Sequence, residues 1–193
     1  MRARAALGAV LLEVGTVGSL ILISSLSAMG QASATFTNRS VITIRDSAAA
    51  MPYPSQITVS NLLGPISKLT ATLNGFTHSF APDVGVLLVG PTGKGIVLMN
   101  HVGTDAVANL TLTFDQAAAN PIGWVTLLTN GIYQPADYEL SRTFALPAPG
   151  PTAPYVSSLH DFNGTNPNGA WSRLSRTSSW LIAARSTTAG AWR

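Results

Sequence analysis

The chain has no cysteine, which excludes a disulfide framework and every thiolate metal site and leaves the redox compartment unreadable from thiol usage. Charge is also scarce: 10% of the 193 residues are charged, and the only lysines are Lys68 and Lys94. G-x-S-x-G, H-E-x-x-H, G-x-x-x-x-G-K-[ST], G-x-G-x-x-G and the EF-hand loop do not occur, so the sequence offers no nucleophile elbow, zincin helix, phosphate loop or calcium loop. Three histidines, His78, His101 and His160, are all that could serve as a general base. The expectation is a module without catalytic residues. No internal repeat of useful length is found.

What remains is 46% hydrophobic residues with abundant Thr, Ser, Asn and Gly, enough for one domain with a real core. That balance suits an extracellular β-protein better than a cytosolic helical one. The formal charge of +3 would ordinarily raise nucleic acid or an anionic membrane as a partner. Six of the eleven basic residues, however, lie at the two chain ends: Arg2, Arg4, Arg173, Arg176, Arg185 and Arg193. Between residues 35 and 172, Arg39, Arg45, Lys68, Lys94 and Arg142 face seven acids, a balance of −2. No basic patch is left to grip phosphate, and nucleic acid is not an expected partner.

The chain divides into residues 1–34, 35–172 and 173–193. The first part opens MRAR, continues through a long apolar run and closes on the small residues Ala32 and Ala34. That is the pattern of a secretory signal, with an export helix and cleavage after Ala34. Glu13 interrupts the run, and the apolar stretch after it is shorter than a membrane span. The alternatives are a retained anchor, a misassigned start codon and a chance apolar extension. The location expected is secreted or cell surface, with membrane contact only through an uncleaved residue 1–34 segment.

From Thr35 the apolar period is two. Ile42 and Ile44 alternate with Thr43 and Arg45, Ile57 and Val59 with Thr58 and Ser60. Leu69, Ala71 and Leu73 alternate with Thr70 and Thr72, and Leu110, Leu112 and Phe114 with Thr111, Thr113 and Asp115. These are half-buried strands. The continuous run VGVLLVG (84–90) reads as a strand covered on both faces, and with IVLM (96–99) after the turn PTGKG it forms a central hairpin. Asn74-Gly75, Asn130-Gly131, Asn163-Gly164 and Asn168-Gly169 are turn signals. Residues 115–123, DQAAANPIG, are the one place for a short helical turn, and residues 146–154, LPAPGPTAP, form an extended loop. Many short strands with regular turns indicate an all-β fold, a jelly-roll-like antiparallel β-sandwich.

Candidate functional residues are few. His78 and Asp83 are the best placed polar pair: His78 either contacts a ligand or metal or, the reading preferred, hydrogen-bonds across a loop. Asp83, Asp105, Asp115 and Asp161 offer carboxylates for calcium, but their spacing is scattered and turn capping is the preferred role. N-x-[ST] sequons occur at Asn38, Asn109 and Asn163 and matter only in a glycosylating host. Trp124 and Trp171 are expected as core or hairpin anchors in preference to sugar platforms.

One stretch is specific enough to compare with a family. Residues 57–99, ITVSNLLGPISKLTATLNGFTHSFAPDVGVLLVGPTGKGIVLM, carry a strand, a His ahead of an Asp, then L-x-[SG]-P-x-G and another strand. His78, Asp83, Leu88, Gly90, Pro91 and Gly93 hold that pattern. Downstream, FNGTNPNGAWS (162–172) supplies a Gly and a Trp, Gly169 and Trp171, that open a late strand. In these features the chain resembles the P domain, also called P/Homo B, of subtilisin-like proprotein convertases, in its bacterial secreted form. The resemblance covers residues 36–172. It implies a β-sandwich that packs beside a subtilisin-like protease, supports its folding, influences its calcium and pH behaviour and contributes no catalytic residue. Gly85 departs from the acid that bacterial relatives carry in a D-x-D arrangement, which weakens calcium as a cofactor.

A larger departure follows Trp171. The family continues to a D-S-G-S-I turn and a final G-W-S-L strand, whereas this chain reads SRLSRTSSWLIAARSTTAGAWR, with four arginines and no acid. Codons for residues 180–193, read one base out of phase, permit A-D-S-G-S-I-N-D-G-W-S-L. The expectation is an aberrant, strand-less basic tail produced by a frameshift near Ser172, with a genuine basic tail as the alternative. Functionally the reading is a non-catalytic accessory module of an exported protein, partnered by a subtilisin-like protease or another surface protein. A stand-alone extracellular binding or adhesion module and a decayed gene fragment remain as alternatives.

Overall fold

Each segment whose apolar residues alternate with period two contributes a strand. A computed structural model describes residues 33–45, 47–139, 146–177 and 190–192; the expected export helix, most of the tail, Asp46 and Arg142 lie outside the described residues. The strands are β1 (Ile42–Ile44), β2 (Ser55–Val59), β3 (Thr70–His78), β4 (Val84–Val89) and β5 (Gly95–Asn100), followed by β6 (Val107–Asp115), β7 (Gly131–Tyr133), β8 (Ala136–Asp137), β9 (Gly169–Thr177) and β10 (Gly190–Trp192). The helical elements among the described residues are two single turns, Ala81–Asp83 and Leu159–Phe162. The fold is all-β.

The larger sheet has the order β2-β9-β4-β5-β8, the smaller β3-β6-β7, and β1 pairs with β10. β4 and β5 form the expected antiparallel hairpin, with Leu88 opposite Ile96 and Val89 opposite Gly95. The expectation of a wholly antiparallel arrangement is corrected: β5 with β8 and β6 with β7 run parallel. A parallel neighbour requires a crossover of a dozen residues or more, and residues 116–130 between β6 and β7 provide one.

Both sheets contribute to one core. Leu73, Phe76, Leu112 and Phe114 come from β3 and β6, and Val84, Val86, Ile96 and Leu98 from β4 and β5; Ile122, Leu159, Phe162 and Trp171 join them. A second cluster, Leu87, Val97 and Leu174, lies on the other face of the larger sheet beneath Tyr53, Leu146 and Tyr155. β4 is thus covered on both sides, which is why its sequence is apolar without alternation.

Three local expectations differ from the structure. Asn74-Gly75 lies inside β3, where pairing with β6 shifts register between Leu73 and Phe76 and Gly75 has φ +70°; the positive φ serves a strand irregularity in place of a turn. Residues 115–123 form no helix: the Asp115 carboxylate accepts the Ala117 N–H at 2.9 Å, and the Asp115 carbonyl accepts the Ala118 N–H at 3.0 Å. The boundary at residue 172 falls within a strand. β9 runs on to Thr177, pairing with β2 on one side and β4 on the other, so the start of the tail is not strand-less. Gly190–Trp192 pairs with β1.

Candidate functional site

The β4–β5 turn is held by backbone bonds from Gly90 N–H to the Lys94 carbonyl at 2.8 Å and from Gly93 N–H to the Gly90 carbonyl at 3.0 Å. Gly93 has φ +82°, a conformation that a side chain would strain. A Cβ at Gly90 would lie 3.0 Å from the Phe162 ring and 3.3 Å from Trp171, and a Cβ at Gly169, where φ is +130°, would lie 2.8 Å from the Pro91 Cβ. Phe162 and Trp171 meet at 5.5 Å between ring centroids, and the Trp171 indole N–H donates to the Pro167 carbonyl at 2.8 Å. Lys94 Nζ donates to the Asp161 carbonyl and stands 5.9 Å from the Phe162 ring centroid.

Gly90, Pro91, Gly93, Gly169 and Trp171 therefore converge in one packed knot, and Leu88 adjoins it on the core face of β4. The knot joins two chain stretches far apart in sequence. Its interactions are ring packing, close glycine contacts and backbone hydrogen bonds, the chemistry of a structural clamp.

His78 and Asp83 are not part of it. They lie near the other end of β4, roughly 20 Å along the strand direction at ordinary strand rise. His78 is buried at the end of β3 with Nδ1 accepting the Phe80 N–H at 3.1 Å; this is the loop-holding arrangement. Asp83 closes the turn Ala81–Asp83, donating its N–H to the Phe80 carbonyl at 3.2 Å. Asp161 accepts the Ser158 N–H at 3.0 Å in a capping box. Asp115 is held below the usual carboxylate range by Lys68, 2.7 Å away, and by the Ala117 N–H. Asp105 accepts the Ala81 N–H through its carbonyl. Asp105, Asp115 and Asp161 occupy separate elements.

The outer face of the larger sheet carries the proline-rich loop. Tyr53 donates to the Pro147 carbonyl at 2.7 Å and Tyr155 to the Pro151 carbonyl at 2.8 Å. Burial, then the neighbouring Tyr155, pushes the Tyr53 phenol up to about 12 against the pull of Arg176. Beside this loop, Pro54, Gln56, Val89, Pro149, Pro151, Ser172 and Leu174 line a half-open pocket of about 160 Å3, the size of one side chain rather than a drug-sized ligand.

The sequence reading misplaced one aromatic. Trp171 is buried as expected, but Trp124 is exposed on the loop between Ile122 and Asn130, stacked on Tyr138 at 5.9 Å and 16°. The signal in the sequence was that Trp124, Val125 and Leu127 fit no period-two strand. No protein-family model, curated protein or solved structure matches the chain.

Proposed function

We propose that this chain is a non-catalytic, exported module of P-domain type, a jelly-roll-like sandwich that acts by packing beside a subtilisin-like protease domain. The supporting observation is the knot: the L-x-G-P-x-G segment and the late Gly169–Trp171 segment, matched separately in sequence, touch in space. Residues chosen for such contacts serve architecture, and an accessory domain works by presenting a rigid surface to its partner. The test is to mix the full chain with a subtilisin-like catalytic domain encoded in the same genome and follow loss of peptidase activity at elevated temperature. A several-fold longer half-life with co-elution supports the reading; an unchanged half-life with separate elution rejects it. A second reading, an extracellular binding or adhesion module, is favoured by the exposed Trp124 loop.

The frameshift belongs with this proposal. β9 lies between β2 and β4, and its core-facing positions after Trp171 are Arg173, Ser175 and Thr177, opposite Leu88, Val86 and Val84. Three polar residues in succession occupy positions where their partners are apolar, and burial lowers the Arg173 guanidinium to about 10. A strand lodged between two others needs apolar residues there. Resequencing the DNA across the codons for Asn168 to Arg193 decides the matter. A missing or extra base that restores D-S-G-S-I and G-W-S-L supports it, and an unchanged read shifts the reading to a decayed or partner-dependent fragment.

A further inference from the structure

We infer that the loop of residues 122–132 is a wedge that inserts into the interfacial layer of a phospholipid bilayer. Its apolar side chains are held outward: Trp124 is 52% exposed, Val125 68%, Leu127 62% and Ile132, on β7, 63%. These are four of the seven large hydrophobic residues exposed among the described residues, gathered within nine positions. Single exposed apolar residues need no explanation, but a cluster does.

The loop is braced from beneath. Ile122 and Leu128 are buried in the core, and the Gly123 carbonyl accepts the Gly103 N–H at 2.9 Å. Gly103, at φ +83°, lies so close under Leu128 that a Cβ there would stand 2.9 Å from Leu128 Cγ. Tyr138 donates to the Ile122 carbonyl at 3.0 Å and backs one face of the Trp124 ring. These anchors fix the two ends of the segment that carries Trp124, Val125 and Leu127, which limits its collapse onto the core.

Charge selects the occupant. No charged residue occurs between Asp115 and Asp137, so the wedge brings no ion into the headgroup layer and needs no anionic lipid. Trp at the tip, with Thr126 and Thr129 beside it, suits the boundary between headgroups and acyl chains, where an indole buries its ring and keeps its N–H solvated. A zwitterionic surface is the complement of a neutral wedge. This inference is independent of the protease reading.

The experiment uses the full chain with phosphatidylcholine vesicles containing brominated acyl chains, which quench tryptophan at the interface. The apolar segment at residues 5–30 contains no tryptophan, so quenching reports on the folded part even where that segment binds lipid. The expected result is quenching that persists in 1 M salt, is mostly lost in Trp124→Phe, and falls at least tenfold in Val125→Ser/Leu127→Asn; the last two substitutions change exposed side chains only. Quenching that survives Trp124→Phe, needs anionic lipid, or is abolished by salt overturns the inference. So does concentration-dependent self-association that the double variant abolishes without any vesicle binding, which would make the face an interface between copies.

Discussion

Replacing Gly169 with alanine tests the knot directly. At φ +130° a side chain is strained by about 1–3 kcal/mol. The added methyl also lands 2.8 Å from Pro91 Cβ, against an optimal carbon separation of about 3.5–4.0 Å, and forcing such a gap open costs about 1–3 kcal/mol. Together the expected loss is about 2–6 kcal/mol, a large share of a total stability of about 5–15 kcal/mol. Gly64 supplies the control: its φ is +82° and a Cβ there would meet no atom within 4 Å, so Gly64→Ala carries backbone strain alone, about 1–2 kcal/mol. Urea midpoints at constant m give both losses. Pro91→Gly removes the atom struck by the new methyl, so the cycle joining it to Gly169→Ala should show coupling of about 1–3 kcal/mol. If Gly169→Ala costs no more than Gly64→Ala, or the coupling is zero, the argument for the clamp fails.

Two further outcomes follow from buried polar groups. Tyr53 is pushed up to about 12 from an ordinary 10.0, so its neutral phenol favours the folded state fully below pH 10, and that contribution is lost as pH rises towards 12. Tyr53→Phe should flatten the decline in urea midpoint across this alkaline window; a decline of unchanged slope refutes the assignment. The Ser175 hydroxyl is buried with no hydrogen-bond partner among the described residues, an arrangement that costs about 1–3 kcal/mol. Ser175→Ala should therefore leave stability unchanged or raise it by about 1 kcal/mol, and a clear loss would show that the hydroxyl is satisfied.

Period-two alternation revealed the strands because one face of each meets the core, and unbroken apolarity revealed β4 because both of its faces are covered. The parallel partners β7 and β8 were not legible. They are three and two residues long and are specified by where a long crossover returns, which leaves little local pattern. Asn74-Gly75 illustrates the same limit: the pair announces a positive φ, but a turn and a strand irregularity use it alike. In the candidate site, Gly90, Pro91, Gly169 and Trp171 were visible as two motifs, while their contact depends on β9 entering beside β4 and exists only in three dimensions. Trp124 was misread because residue type alone favours burial, and the bracing that holds it outward comes from Gly103 and Tyr138, distant in sequence.

The position of β9 also orders events in time. Translation delivers β2, β4 and β5 long before residues 169–177, yet β9 separates β2 from β4 in the finished sheet. β2 has no strand partner in that sheet except β9, and closing it means joining segments more than a hundred residues apart, a pairing that is intrinsically slow. A ribosome that has made 160 residues therefore holds a chain whose larger sheet cannot close. For a polypeptide exported unfolded, as the proposed function has it, this delay keeps the chain threadable until nearly all of it has been made.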